Sequence, residues 1–223
     1  LESKFLLDKY KSNSVFLTKN IENKLQKKYL SCELNTTSLY LSYVTKTEVL
    51  ESEIYPLLKA NTSKIQKKGN TYIWWDPDVE FVWDINWFQT KNYDYLTWYW
   101  VYEWPIISIM QNYWIKSYKS EFTKENILNS LLNDNPVMFW YILPSKSWTI
   151  NTKPLTWQTQ NKKQITAYVW EHTWLIIWAD FDYSWEITKV YYYEWTNKDV
   201  HIENFTDLEY KAKFLDKIIL KTD

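Results

Sequence analysis

Cys32 and His172 are the two residues of this chain that could serve as a nucleophile and its base. A cysteine attacks as the thiolate, so it wants the positive end of a helix and an imidazole beside it. Leu34, Leu39, Leu41 and Val44 predict a helix over residues 32–44 with the sulfur at its start, where the helix dipole favours the ionised form. His172 is one of 2 histidines and follows Glu171 in the second half of the chain. Gln26 shortly precedes the cysteine, close enough to aim its side-chain amide at the oxyanion of a tetrahedral intermediate. A plainer reading stands beside this one: a lone cysteine is often a small core residue, and one Cys with one His does not make a site. His201, in the polar stretch 199–203, reads as an exposed strand residue. With the histidines far apart and no acidic cluster at either, the sequence predicts no metal site, and the chemistry calls for no cofactor.

These residues need a helical half to present the cysteine and a sheet to present the histidine. The pattern supplies both. A short strand is predicted over 14–18, the cysteine helix over 32–44, and a second helix over 47–58 that stops near Pro56. Residues 59–70 read as a polar connection and 71–104 as turn-like and aromatic. Pro105, tolerated in a first turn, opens a helix to Tyr113, and Thr123 caps another that runs to Asn133. Strands follow over 136–143, 166–179 and 189–194, then a helix over 205–211 and a strand over 214–220. Helices first and antiparallel strands after is the α+β class. With no repeat and no linker, the expectation is one domain over 21–223 behind an N-terminal strand or extension over 1–20.

Composition narrows the partners. Lys+Arg 26 against Asp+Glu 27 gives a net charge of −1, so there is no electrostatic case for nucleic acid or an anionic membrane surface. Cys 1 excludes an intramolecular disulfide and a Cys-based zinc site. No apolar run approaches the ~18 residues of a membrane span. The start at Leu1, with no apolar leader segment, fits a trimmed mature form. The oddest numbers are Gly 1 and Trp 16, where average usage would give about 16 glycines. All 26 basic residues are Lys, and Asn, Ile and Tyr abound, as in an AT-rich coding sequence. In such genomes UGA is often reassigned, to Trp in some bacterial lineages and to Gly in others. The expectation is that many Trp here stand for glycine. Read literally, 16 Trp would instead suggest a carbohydrate-stacking or membrane-interface surface.

The motifs carry a resemblance. Cys32-Glu33-Leu34-Asn35-Thr36-Thr37-Ser38-Leu39 resembles the nucleophile helix of a bacterial cysteine peptidase-like family related to the double-glycine-leader (bacteriocin-processing) peptidases, which have a papain-like fold. The stretch 76–84 is similar to that family's "GDP..GFVGD" loop, 98–106 to its "GYGVYAPPI", Asn135-Pro136-Val137 to "GNPV" and 171–180 to "EHAVVLVGYD". The matches run in family order from about Gln26 to Leu220. The resemblance implies Cys32 as nucleophile, His172 as general base and Gln26 as oxyanion donor, acting on a peptide or protein substrate. It also hints at a secreted or cell-surface setting. The family's third triad member is the Asp of a "VNDP" strand end. Here the matching stretch 190–195 puts Glu194 in that place, with Asp180 and Asn197 as fallbacks. A silent surface-binding module and an acyltransferase using the same thioester chemistry stay open. The resemblance, or local turn chemistry, asks for glycine at Trp75, Trp83, Trp87, Trp98, Trp100, Trp104, Trp170, Trp174, Trp178 and Trp185. It has a true Trp at Trp140 and Trp157, and Trp74 fits that class. Trp114, Trp148 and Trp195 are left unsorted.

Overall fold

The computed structural model describes residues 13–82, 99–143, 154–168, 170–194 and 198–222. The cysteine helix comes first in the helical half: α1, Cys32–Thr45. Its buried stretch carries Asn35, Thr36, Thr37 and Ser38, an unusual load for a helix inside a protein. Hydroxyls bonding back one turn resolve it. Thr37 Oγ1 donates to the Glu33 carbonyl at 2.6 Å and Ser38 Oγ to the Asn35 carbonyl at 2.8 Å, while Asn35 and Thr36 bond to carbonyls outside the helix. The helix ends on Lys46 in the left-handed conformation, φ 60°.

The helix expected over 47–58 is cut down to α2, Glu51–Ile54, and one 3-10 turn over Tyr55–Leu57 that contains Pro56. The expected polar connection instead contains β2, Ala60–Asn61, and β3, Gln66–Lys68, which turns through Gly69 (φ 61°) into β4, Thr71–Ile73. Two short helices match their signals. Pro105 lies in the first turn of α3, Glu103–Asn112. Thr123 caps α4, Lys124–Leu132, accepting the Asn126 N–H at 3.2 Å.

The main sheet holds the histidine. Its strands are β1 (Ser14–Phe16), β6 (Ser117–Ser120), β7 (Val137–Ile142), β10 (Glu171–Phe181), β11 (Ile187–Tyr193), β12 (Val200–Asn204) and β13 (Ile218–Lys221). Their order is β12-β11-β10-β7-β13-β6, all pairs antiparallel, with β1 beside β10. The N-terminal strand is therefore a member of this sheet. β7 is buried at every position, packed by α1 and by α5, Phe205–Ala212. A four-stranded sheet runs β3-β4-β8-β9, with β8 at Leu155–Gln158 and β9 at Gln164–Ala167, while β5, Phe81–Val82, pairs with β2. The single strand expected over 166–179 is thus two: β9 ends at Ala167 and β10 begins at Glu171. Between them Trp170 takes φ 64°, which breaks the extended run. The last strand starts at Ile218, because Leu215 and Asp216 still bond back to Ala212 at 3.0 and 2.9 Å.

Candidate active site

Cys32 opens α1, and the residue before it does not cap the helix. Ser31 Oγ turns back instead, donating to the Lys28 carbonyl at 2.9 Å and accepting its N–H at 3.2 Å. Ser31 thus leaves the first turn without a capping side chain, which suits a sulfur anion or an oxyanion nearby. That first turn is laid on the start of β10. Thr36 Oγ1 donates to the Thr173 carbonyl at 3.0 Å, and the Thr173 N–H faces the Cys32 sulfur, favouring its thiolate. The peptide that follows His172 therefore lies against the nucleophile candidate.

On β10 the side chains alternate, with His172 and Trp174 on one face and Glu171 and Thr173 on the other. The imidazole of His172 lies 6.0 Å from the Trp100 ring, centre to centre. Trp174 stacks on Tyr192 at 4.2 Å. Cys32 is 1% exposed and His172 9%, so this is a closed site. Closure sets the charge states. Burial, then the neighbouring Glu33, push the Cys32 thiol well above its ordinary range, and burial lowers His172 to about 3. Thiol and imidazole are both neutral at rest.

Gln26 belongs to a segment pinned beside the helix. Asn35 Nδ2 donates to the Lys24 carbonyl at 2.8 Å, the Lys27 N–H donates to Glu51 at 3.0 Å, and Asn23 Nδ2 donates to the Glu194 carbonyl at 3.2 Å. One N–H of the Gln26 amide goes to the Tyr29 carbonyl at 3.0 Å; an amide has two, so one remains for an oxyanion.

Glu194, just beyond β11, has its Oε1 3.0 Å from His201 Nε2. His201 is accordingly a half-buried, paired residue of β12 and not the exposed one expected. Asp180 is engaged elsewhere, accepting from Ser14 at 2.6 Å and Tyr191 at 2.8 Å. At about 3.3 Å per residue it lies roughly 26 Å along β10 from His172 and cannot orient that imidazole. Asn197 lies outside the described residues, as do Trp83, Trp87, Trp98, Trp148 and Trp195.

Four residues at the site went unread in the sequence. Glu33 accepts the Cys32 thiol at 3.2 Å. Tyr99 donates to Glu171, and the Tyr99 and Tyr102 hydroxyls are 2.8 Å apart. Glu33 and Glu171 are carboxyls held in the interior, 1% and 0% exposed. Burial lifts Glu33 to about 8 and Glu171 well above the carboxylate range. The signal for Glu33 was its place next to the cysteine, which pattern reading absorbed into the helix. Among the described residues no group of His, Cys, Asp and Glu could hold a metal, and no helix is long and apolar enough to cross a membrane.

No protein-family profile matches the chain, and no curated protein matches it. A solved structure does. The crystal structure of a proposed C39-like peptidase from Bacillus anthracis superposes with a TM-score of 0.70 over 94% of this chain and 98% of that one, at 16% identity. The fold is the papain-like α+β arrangement, with the helix that begins at Cys32 packed on an antiparallel sheet.

Proposed function

We propose that this chain is a cysteine peptidase-like hydrolase that cleaves a peptide or isopeptide bond at Cys32 and His172. The observation that carries the reading is the uncapped start of α1 laid on β10, with the Thr173 N–H at the Cys32 sulfur, in a fold shared with a proposed peptidase. Cys32 attacks the carbonyl as its proton leaves. The second N–H of Gln26 and the Cys32 backbone N–H hold the oxyanion. His172, neutral at rest, receives a proton, gives it to the leaving amine, and then activates the water that releases the acyl group. Glu194 takes the third place by resemblance. Its Oε1 serves His201, so the assignment uses Oε2 toward His172. Incubation with a peptide library tests the reading: hydrolysis abolished by Cys32→Ser supports it. Hydrolysis that survives Cys32→Ser refutes it, and binding without turnover supports the silent module.

The same reading takes several of the tryptophans as glycine in the natural protein. Trp114 (φ 61°), Trp170 (φ 64°) and Trp185 (φ 64°) occupy the left-handed region, where a ring-bearing residue is strained. Trp114 follows α3 in a Schellman arrangement, its N–H bonding to Gln111 at 3.0 Å and that of Ile115 to Met110 at 3.2 Å. Glycine is the usual residue there. Trp174 is buried with its indole N–H unbonded. The tryptophans taken as genuine behave otherwise. Trp74 donates to the Ser63 carbonyl at 3.0 Å, Trp140 to Val101 at 3.1 Å and Trp157 to Trp75 at 2.8 Å. Glycine at 100 would remove the ring beside His172, and glycine at 174 a second ring on the same face of β10, which would open the closed site. The codons decide: UGG at 114, 170, 174 and 185 would end this proposal, and UGA with a matching intact mass of the natural protein would support it.

A further inference from the structure

The pair Cys32–Glu33 places a carboxyl group at the sulfur. The two residues are consecutive, both 1% exposed, with Sγ 3.2 Å from Oε2. The other carboxyl oxygen, Oε1, is buried and makes no hydrogen bond. The backbone N–H groups of Glu33 and Val101 face the carboxyl and favour its charge without completing a bond to that oxygen. No cation is paired with Glu33 among the described residues. Burial without a cation disfavours the ionised form of a carboxyl, so its position at a nucleophile candidate calls for a reason.

Resting on the reading of Cys32 as nucleophile, we propose that Glu33 is a catalytic proton acceptor for the thiol, sharing one proton with the sulfur. The S–H bond breaks, an O–H bond forms on Oε2, and the negative charge passes from carboxylate to sulfur. The total charge of the pair is unchanged. Inside a closed site this matters, because forming a thiolate–imidazolium pair creates two new buried charges and the Glu33 route creates none. The proton then held on Oε2 donates a hydrogen bond to the thiolate, which supports the attacking form, and it is the proton that His172 then receives and passes to the leaving amine.

The surroundings agree. From β10, Glu171 and the Thr173 N–H face the pair. From the segment at 99–102 come the Tyr99 and Tyr102 hydroxyls and the Val101 N–H. Lys217, bonded to Glu103 of α3 at 2.9 Å, acts on Glu171 from beyond. From β7, Tyr141 is coupled to the cysteine. Burial above all keeps Glu171 protonated, so it adds no second negative charge beside the pair. Burial lifts Glu33 to about 8, so its carboxylate holds a proton more firmly than an ordinary carboxylate does.

The test is the rate of Cys32 alkylation by iodoacetamide against pH, in the full chain. The expected profile rises through pH about 8 as the pair loses one proton. Glu33→Gln, which cannot accept a proton, is expected to move the rise upward by at least a unit and slow alkylation at pH 8 by tenfold or more. Glu33→Asp should restore part of the rate. A faster or unchanged rate in Glu33→Gln overturns the proposal, since a merely repelling carboxylate would give thiolate more readily once neutralised. If Glu33→Gln does not fold, His172→Ala decides. A rise kept near pH 8 without the imidazole supports Glu33, and its disappearance overturns it. An unaltered absolute rate in His172→Ala counts against the His172 assignment alone, so the two failures are distinguishable.

Discussion

Trp114→Gly should stabilise this protein although it deletes its largest kind of side chain. The ring is 94% exposed, so almost no apolar burial is lost with it. The backbone at 114 has φ 61° and sits after α3 with both Schellman hydrogen bonds formed. A side chain in that region costs roughly 1–2 kcal/mol. Glycine removes the cost but loses about 0.5–1 kcal/mol through its more flexible unfolded state. The net expectation is a gain of roughly 0.5–1 kcal/mol, or about 2–4 °C in Tm per kcal/mol for a chain of this length. Trp114→Ala is the control: it deletes the ring and keeps the strain, so its stability should stay within about 0.5 kcal/mol of the parent. Urea unfolding of the three proteins measures this directly. Equal behaviour of the Gly and Ala variants, or a loss in both, would refute the argument that backbone conformation and not the indole governs this position.

Other outcomes follow from the site. Gln26→Ala should lower kcat by roughly 10²–10³ with little change in KM, as for loss of one oxyanion donor, measured on whichever peptide the library yields. Thr36→Val removes the 3.0 Å bond to the Thr173 carbonyl and leaves that buried group unsatisfied, so denaturant midpoints should show a loss of about 1–3 kcal/mol. The form with glycine at 100, 170 and 174 should alkylate at Cys32 faster than the parent, and an equal rate would mean those rings do not close the site. Stability should also follow the buried groups. Glu33 is raised from 4.5 to about 8, so the folded state holds its proton while the unfolded state ionises, and this group lowers stability as pH climbs through that window. His172 is lowered from 6.5 to about 3, so its contribution rises with pH until about 6.5. The two oppose below pH 6.5, and above it the fall due to the raised carboxyls Glu33 and Glu171 should be visible in urea midpoints and reduced in Glu33→Gln.

Legibility followed the length of the signal. The cysteine helix was readable because four apolar positions recur over its length, and α4 because Thr123 is a good cap. The break at Trp170 was hidden, since the letters read as one β-branched and aromatic run and a positive φ is not announced by a tryptophan. β2 to β4 were missed because they are short and polar, held by pairing to other strands and not by their own pattern. The cysteine, the histidine and the glutamine proposed for the site were each singled out from residue chemistry. The Cys32–Glu33 contact was not, because successive residues on a helix are not ordinarily partners. The Glu194–His201 pair was hidden as well, since only the β11–β12 register brings Tyr192 opposite His201 and sets Glu194 within reach.

The central claim is that Cys32 and His172 act as one nucleophilic site. A peptidyl epoxide or haloketone that alkylates only an activated thiol tests it most directly, read by intact mass. The account predicts one adduct on Cys32, abolished by Cys32→Ser and slowed at least tenfold by His172→Ala in a protein that still unfolds cooperatively. Slow labelling of a folded protein at the rate of a free thiol, unmoved by His172→Ala, would contradict it.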